Sequence, residues 1–93
     1  MDRVITRLLR IEGRVQGVGF RSSMSQAAQK RGVSGWVRNR KDGTVEALVS
    51  GSEVAVLGLI AWAQKGPPGA RVDRVTTNID LPGGGTFEQL PTV

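Results

Sequence analysis

The segment Gly13 to Arg21, with the sequence GRVQGVGFR, limits the possible folds of this chain more than any other. It joins a strand-like pattern to a helix-like pattern, and it has glycine at positions 13, 17 and 19. Glycine adopts backbone conformations closed to residues with a Cβ atom, so successive peptide N–H groups can turn toward one small group. The N-terminus of the following helix also favours negative charge. The segment therefore predicts a strand, an anion-binding loop and a helix.

Arg21 closes this loop and supplies a planar guanidinium group that pairs with phosphate through two hydrogen bonds. The loop lacks the Gly-Lys-Ser/Thr ending of a nucleoside-triphosphate loop and the GxGxxG of a dinucleotide fold. The spacing alone leaves two interpretations open. Either the backbone amides and Arg21 bind a phosphate, or the glycines only shape a tight connection and the arginine is solvated.

Length and composition limit the class of protein. The 93 residues fit one domain, 1–93, with a modest core. No apolar segment approaches the roughly 20 residues of a membrane span, and the basic N-terminal stretch lacks the apolar block of a signal peptide. Since the chain has no cysteine, a disulfide framework is excluded. We expect a cytoplasmic protein that does not bind a membrane.

Charge is distributed unevenly along the chain. Residues 1–41 carry ten Lys and Arg against two acids, a net charge of +8, and residues 42–93 carry three against six, a net charge of −3. The basic half contains the loop, and its field would attract small anions or nucleic acid. The chain has no histidine, and its acidic residues form no close pair in the sequence. We therefore expect no metal, no cofactor and no catalytic pair of carboxylates.

Hydrophobic periodicity predicts two strand–helix–strand units followed by a short strand. The first helix runs from Ser22 or Ser23, with a serine as N-cap, to Arg31, and the second follows Ser52 as N-cap and ends before Gly66. The predicted strands are Thr6–Glu12, Ser34–Arg40, Thr44–Gly51, Ala70–Leu81 and Thr86–Leu90. We expect a bulge between Val72 and Val75 in the fourth strand and a turn at Pro82–Gly85 before the fifth. This order predicts an α+β fold, the ferredoxin-like split βαβ sandwich, with the element order βαββαβ plus a short C-terminal strand. The strands of this fold form an antiparallel sheet, and the two helices cover one of its faces.

Three segments of the chain resemble the acylphosphatase family. They are GRVQGVGFR at 13–21, GVSGWVRNRKDGTVEALVSG at 32–51 and KGPPGARVDRV at 65–75. The resemblance implies a hydrolase that cleaves small acyl phosphates to a carboxylate and inorganic phosphate without a metal. The residues that match the family's catalytic arginine and asparagine are Arg21 and Asn39. Phosphate, or a similar anion, would bind at the positions that match the family's cradle: Gln16, Gly17, Val18, Gly19, Phe20 and Arg21.

Other interpretations remain open at this point. Asn39 lies near a turn, where asparagine often bonds its own backbone. The basic half suggests an alternative function as a ferredoxin-like nucleic-acid-binding module, but the strands predicted at Thr6–Glu12 and Thr44–Gly51 contain no aromatic residue on which a base could stack.

We expect Trp36 and Trp62 to pack in the core or between helices. The chain also resembles the acylphosphatase-like domain of larger carbamoyl-transfer proteins, without their zinc-binding and transferase segments. We expect a monomer that binds a small-molecule acyl phosphate.

Overall fold

The structure, a computed structural model, describes residues 3–79 and 86–93. Within those ranges the elements follow in the order β1 (Val4–Arg14), α1 (Phe20–Arg31), β2 (Ser34–Asn39), β3 (Val45–Ser52), α2 (Glu53–Lys65), β4 (Arg71–Ile79) and β5 (Phe87–Gln89). The strands form one sheet in the order β4-β1-β3-β2-β5. The predicted ferredoxin-like α+β fold is confirmed, whereas the turn predicted at Pro82–Gly85 lies outside the described residues.

The four longer strands pair antiparallel, as predicted, but the fifth does not. β5 pairs parallel with β2, with Val37 opposite Gln89. β2 and β5 both run opposite to β4, so they lie parallel to each other. The sheet is therefore mixed at this one edge.

The two helices begin differently. α1 begins at Phe20, earlier than the predicted Ser22, and its N-cap is Gly19, which makes no side-chain capping bond. The predicted serine N-cap of α1 was therefore wrong. For α2 the prediction is confirmed, because the Ser52 hydroxyl accepts a hydrogen bond of 3.2 Å from the N–H of Ala55. Because Gly19 has no side chain, no capping group hydrogen-bonds the first N–H groups of α1, and these groups remain available to a ligand.

The predicted bulge is present in β4. Glu12 pairs with Arg74 whereas Gly13 pairs with Val72, so Asp73 is the extra residue. Val72 and Val75 consequently both pack against the core despite their odd spacing.

Both helices cover the same face of the sheet, and the core lies between the two layers. α1 packs against β2 and β5, and α2 packs against β1, β3 and β4. The fully buried core includes Leu9, Ile11, Val37, Val45, Ala47 and Val49 from the sheet and Met24, Ala28, Val56, Leu59 and Ala63 from the helices. Neither helix in the described part of the chain is long and apolar enough to cross a membrane.

The two tryptophans lie in different environments. Trp62 of α2 packs edge to face against Phe20, with ring centroids 5.5 Å apart, which agrees with the expected packing between helices. Trp36 pairs with Leu48 on the face without helices, where the Arg38 guanidinium lies 4.7 Å from its ring centroid. The expectation that Trp36 packs in the core or between helices was wrong, because side chains alternate along β2 and Val37 takes the inward position.

Leu9→Ala should lower the free energy of unfolding by about 2–5 kcal/mol, because it deletes a fully buried side chain and leaves a cavity. The neighbouring Leu8 points to the open face and is only partly buried, so it is the matched control. Leu8→Ala should cost clearly less. Urea denaturation followed by tryptophan fluorescence measures both, and equal losses would contradict a core confined to one face.

Candidate active site

A small cleft opens at the N-terminus of α1, beside the end of β2. Its volume is about 170 Å³, smaller than the roughly 300–1,000 Å³ of cavities that hold drug-sized ligands, and suited to a small anion. It is lined by Val15, Gln16, Gly17, Gly19, Phe20, Arg21, Ser22, Asn39 and Gln89. The loop, α1, β2 and β5 thus all contribute to one site.

The structure brings Arg21 and Asn39 to this same cleft. The other predicted positions also line it, except Val18, whose side chain packs against the core. Ser22 and Gln89 line it too, although the sequence analysis did not assign them to the site.

The loop presents a series of unpaired backbone donors. In residues 3–79 and 86–93, no carbonyl accepts a hydrogen bond from the amides of residues 17–22. Gly17 and Gly19 have φ angles of 75° and 74°, in the left-handed region that favours glycine. Backbone of this kind forms a concave nest of N–H groups, and the first-turn amides of α1 extend it. This arrangement favours an anion.

Gln16 fixes the loop against the β2–β3 hairpin. Its side-chain Nε2 donates to the carbonyl of Arg40 at 2.7 Å and to the carbonyl of Thr44 at 2.9 Å. Both of its amide protons are therefore used. Because Asn39 precedes Arg40, this bridge sets the position of the loop relative to Asn39. The sequence analysis considered only the backbone of Gln16, since nothing local in the sequence indicates a contact between the loop and the hairpin end.

Asn39 is held through its backbone rather than its side chain. Its carbonyl accepts a hydrogen bond of 3.1 Å from the N–H of Val93, whose own carbonyl accepts one of 2.7 Å from Lys41. The side-chain amide makes no hydrogen bond to any residue within the described ranges. The alternative in which this side chain bonds its own backbone is thus not what the structure shows, and the amide can serve a ligand.

The positive charge of Arg21 is not neutralised by a described carboxylate. Its Nη1 donates to the carbonyl of Leu90 at 3.4 Å, and the ion pairs of the described residues involve other arginines. The described lining of the cleft contains no carboxylate. Within the same ranges, no group of three or more acidic side chains lies together as a metal site would require. The cleft therefore has a positive field around its nest of amides.

Asp42 stabilises the hairpin end to which Gln16 is bonded. Its carboxylate accepts hydrogen bonds from the Thr44 hydroxyl at 2.7 Å and from the Thr44 N–H at 3.0 Å, and it pairs with Arg10. The hydrogen bonds from Thr44, and then the charge of Arg10, lower the pKa of Asp42 below its usual value of 3.8.

Asp42→Asn should weaken the acid dependence of stability. A carboxyl group whose pKa is lower in the folded state stabilises the fold above its unfolded pKa, and this contribution is lost as the pH falls through the folded pKa. Unfolding midpoints measured from about pH 6 to about pH 2 should thus fall less in the variant than in the wild type. An identical decline in both proteins would contradict the role given to this carboxylate.

Comparison with known proteins identifies the family. Residues 8–88 match the acylphosphatase family model. An acylphosphatase of Acidovorax sp. (strain JS42) is 66% identical over 71 residues, which cover 76% of this chain and 73% of that protein. The structure of an acylphosphatase from Coxiella burnetii superimposes with a TM-score of 0.90 at 30% identity, over 94% of this chain and 93% of that one. The crystal structure of acylphosphatase from Bacillus subtilis gives a TM-score of 0.88 at 34% identity, over 95% of this chain and 99% of that one. The resemblance found in three sequence segments is confirmed, and the chain belongs to the acylphosphatase family.

Proposed function

We propose that this protein hydrolyses the carboxyl–phosphate bond of acyl phosphates to a carboxylate and inorganic phosphate, without a metal ion. The observation that carries the proposal is the convergence of loop amides, the Arg21 guanidinium and the Asn39 amide on one small cleft. Among the described residues, no carbonyl accepts from these loop amides, no carboxylate pairs with Arg21 and no residue hydrogen-bonds the Asn39 amide. Membership of the acylphosphatase family supports the substrate class.

The phosphoryl group binds in the nest formed by residues 16–20 and the first turn of α1. The backbone N–H groups donate to its non-bridging oxygens, and Arg21 adds two parallel hydrogen bonds and a full charge. A phosphoryl transition state spreads negative charge over these same oxygens, so donors fixed in place before the reaction stabilise it directly.

Asn39 orients the attacking water. Its carboxamide both donates and accepts, so it holds a water molecule in a fixed direction without removing its proton. The water oxygen bonds to phosphorus as the bond from phosphorus to the acyl oxygen breaks, and the electron pair leaves with the carboxylate. A phosphate oxygen takes the water proton. Because a carboxylate is a weak base, the leaving group requires no general acid, which fits a chain without histidine and a cleft without a carboxyl group.

Metal independence is part of the proposal, and it is supported by the source of positive charge in the cleft. Arg21 and the loop amides supply the charge stabilisation that a metal ion provides in other phosphoryl-transfer sites. The described lining of the cleft offers no carboxylate to hold a hard cation.

We also propose that residues 1–93 form a single domain, which acts as a monomer in the cytoplasm. One cluster of buried residues draws on both helices and the sheet, which supports the single domain.

The nucleic-acid-binding alternative is not favoured by the open face of the sheet. Its one described tryptophan, Trp36, lies on β2 next to Arg38, not on the central strands β1 and β3. The cations on that face are largely paired, with Arg38 and Arg40 both contacting Glu46 at 2.7 and 3.2 Å. Little free positive charge is left there to bind a phosphate backbone.

Arg21→Lys should lower kcat/KM for benzoyl phosphate by about 100-fold or more, because lysine keeps the charge but loses the planar pair of donors. Arg14→Lys is the matched control: Arg14 is exposed at the end of β1 and does not line the cleft. That variant should retain near-normal kcat/KM. Release of phosphate under initial-rate conditions measures both, and near-normal activity of Arg21→Lys would overturn the assignment.

Asn39→Ala should lower kcat by about 100- to 1,000-fold while inorganic phosphate still binds, because only the positioning of the water is lost. Phosphate release from benzoyl phosphate gives kcat, and product inhibition gives the affinity for phosphate. Asn78→Ala, on exposed β4, is the control and should change neither quantity.

The assays contain a chelator, which should leave wild-type activity unchanged. Loss of activity with the chelator would contradict metal independence.

A further inference from the structure

Two polar side chains of the cleft have no part in the scheme above. Those of Ser22 and Gln89 both line the cleft and are both exposed, and we call this pair its rim. The amide protons of Gln16, by contrast, are used on the carbonyls of the hairpin, and Val15 and Phe20 are buried beneath the loop. Among the polar side chains of the described lining, the proposed mechanism assigns roles to Arg21 and Asn39, and Gln16 is bonded to the hairpin, so only those of the rim remain without a role.

The register of β5 directs Gln89 toward the site. Gln89 pairs with Val37, which faces the helices, so the two side chains lie on the same side of the sheet as Asn39. The next residue, Leu90, donates its N–H to the carbonyl of Val37 at 2.8 Å and accepts the Arg21 hydrogen bond on its own carbonyl. The backbone beside Gln89 is therefore fixed at the guanidinium group. Its side-chain amide makes no hydrogen bond to a residue of 3–79 or 86–93.

The acyl part of a substrate has to lie at this rim. With the phosphoryl group in the nest, the volume of about 170 Å³ leaves little space beside it for the acyl group. The rim side chains are a hydroxyl and a carboxamide, each of which both donates and accepts hydrogen bonds. An aliphatic or aromatic acyl group would find no large apolar side chain at this rim, whereas a polar acyl group would find hydrogen-bonding partners.

We propose that Gln89, assisted by Ser22, hydrogen-bonds the acyl group of the substrate and selects small acyl phosphates that carry a hydroxyl or amino group next to the carbonyl carbon. The inference rests on the proposed function, since it assigns the leaving side of that same site. Gln89 acts here as a specificity residue, and the reaction itself stays with the nest, Arg21 and Asn39.

Glycoloyl phosphate and propionyl phosphate test the inference, because they differ only by a hydroxyl group in place of a methyl group. The quantity measured is the ratio of kcat/KM for glycoloyl phosphate to that for propionyl phosphate. Comparing this ratio between protein variants cancels the intrinsic reactivity of the two compounds. Gln89→Leu should lower the ratio by about three- to tenfold, the effect of one hydrogen bond to a neutral group, and Ser22→Ala should lower it in the same direction.

Glu88→Leu is the matched control. Glu88 is also exposed and lies on the same strand, but it pairs with Trp36 and so points to the open face. It should leave the ratio unchanged, and tryptophan fluorescence checks that each variant is folded. The inference is overturned if Gln89→Leu keeps the wild-type ratio, or if Glu88→Leu lowers it equally.

Failure of the proposed function gives a different result. If the wild type released no phosphate from either compound or from benzoyl phosphate, the hydrolytic activity itself would be refuted. If it hydrolysed all three and the ratio stayed the same in Gln89→Leu, only the role of the rim would be refuted.

Discussion

The geometry of the cleft depends on the side-chain amide of Gln16. This residue lies in a loop whose amides at 17–19 bond to no described carbonyl, and it anchors that loop to the hairpin through the carbonyls of Arg40 and Thr44. Asp42 in turn fixes Thr44 through two hydrogen bonds. A loop whose amides make no internal backbone bonds gains no rigidity from them, so its position has to be set from outside. In this chain one glutamine sets it, and the same bridge places the loop beside Asn39.

Local sequence patterns predicted most of the fold. The glycines of residues 13–21 mark the change from strand to helix, and the odd spacing of Val72 and Val75 marks a bulge that the structure contains. Each of these signals arises within a few residues of the chain. The cleft-lining positions from Gln16 to Arg21 belong to the same class, because the loop and the helix that follows it are contiguous in sequence.

Several features that sequence reasoning missed depend on contacts between distant residues. β5 pairs parallel with β2, a strand distant from it in the sequence, and this pairing places Gln89 at the cleft. The two bonds of Gln16 join the loop to the hairpin, and the bonds of Val93 join the C-terminal segment to Asn39 and Lys41. The start of α1 was misplaced for another reason: Gly19 ends the loop with a left-handed turn, and no side-chain cap marks the boundary.

The proposed mechanism requires that main-chain donors and one guanidinium group hold a phosphoryl group beside the Asn39 amide. Titration of the 15N-labelled protein with inorganic phosphate, followed through its amide and guanidinium NMR signals, tests it most directly. The claim predicts that the largest shifts occur at the amides of residues 17–22, the side chain of Arg21 and the side-chain amide of Asn39, while β4 and α2 change little. Shifts concentrated on the open face of the sheet, with residues 17–22 unchanged at saturating phosphate, would contradict it.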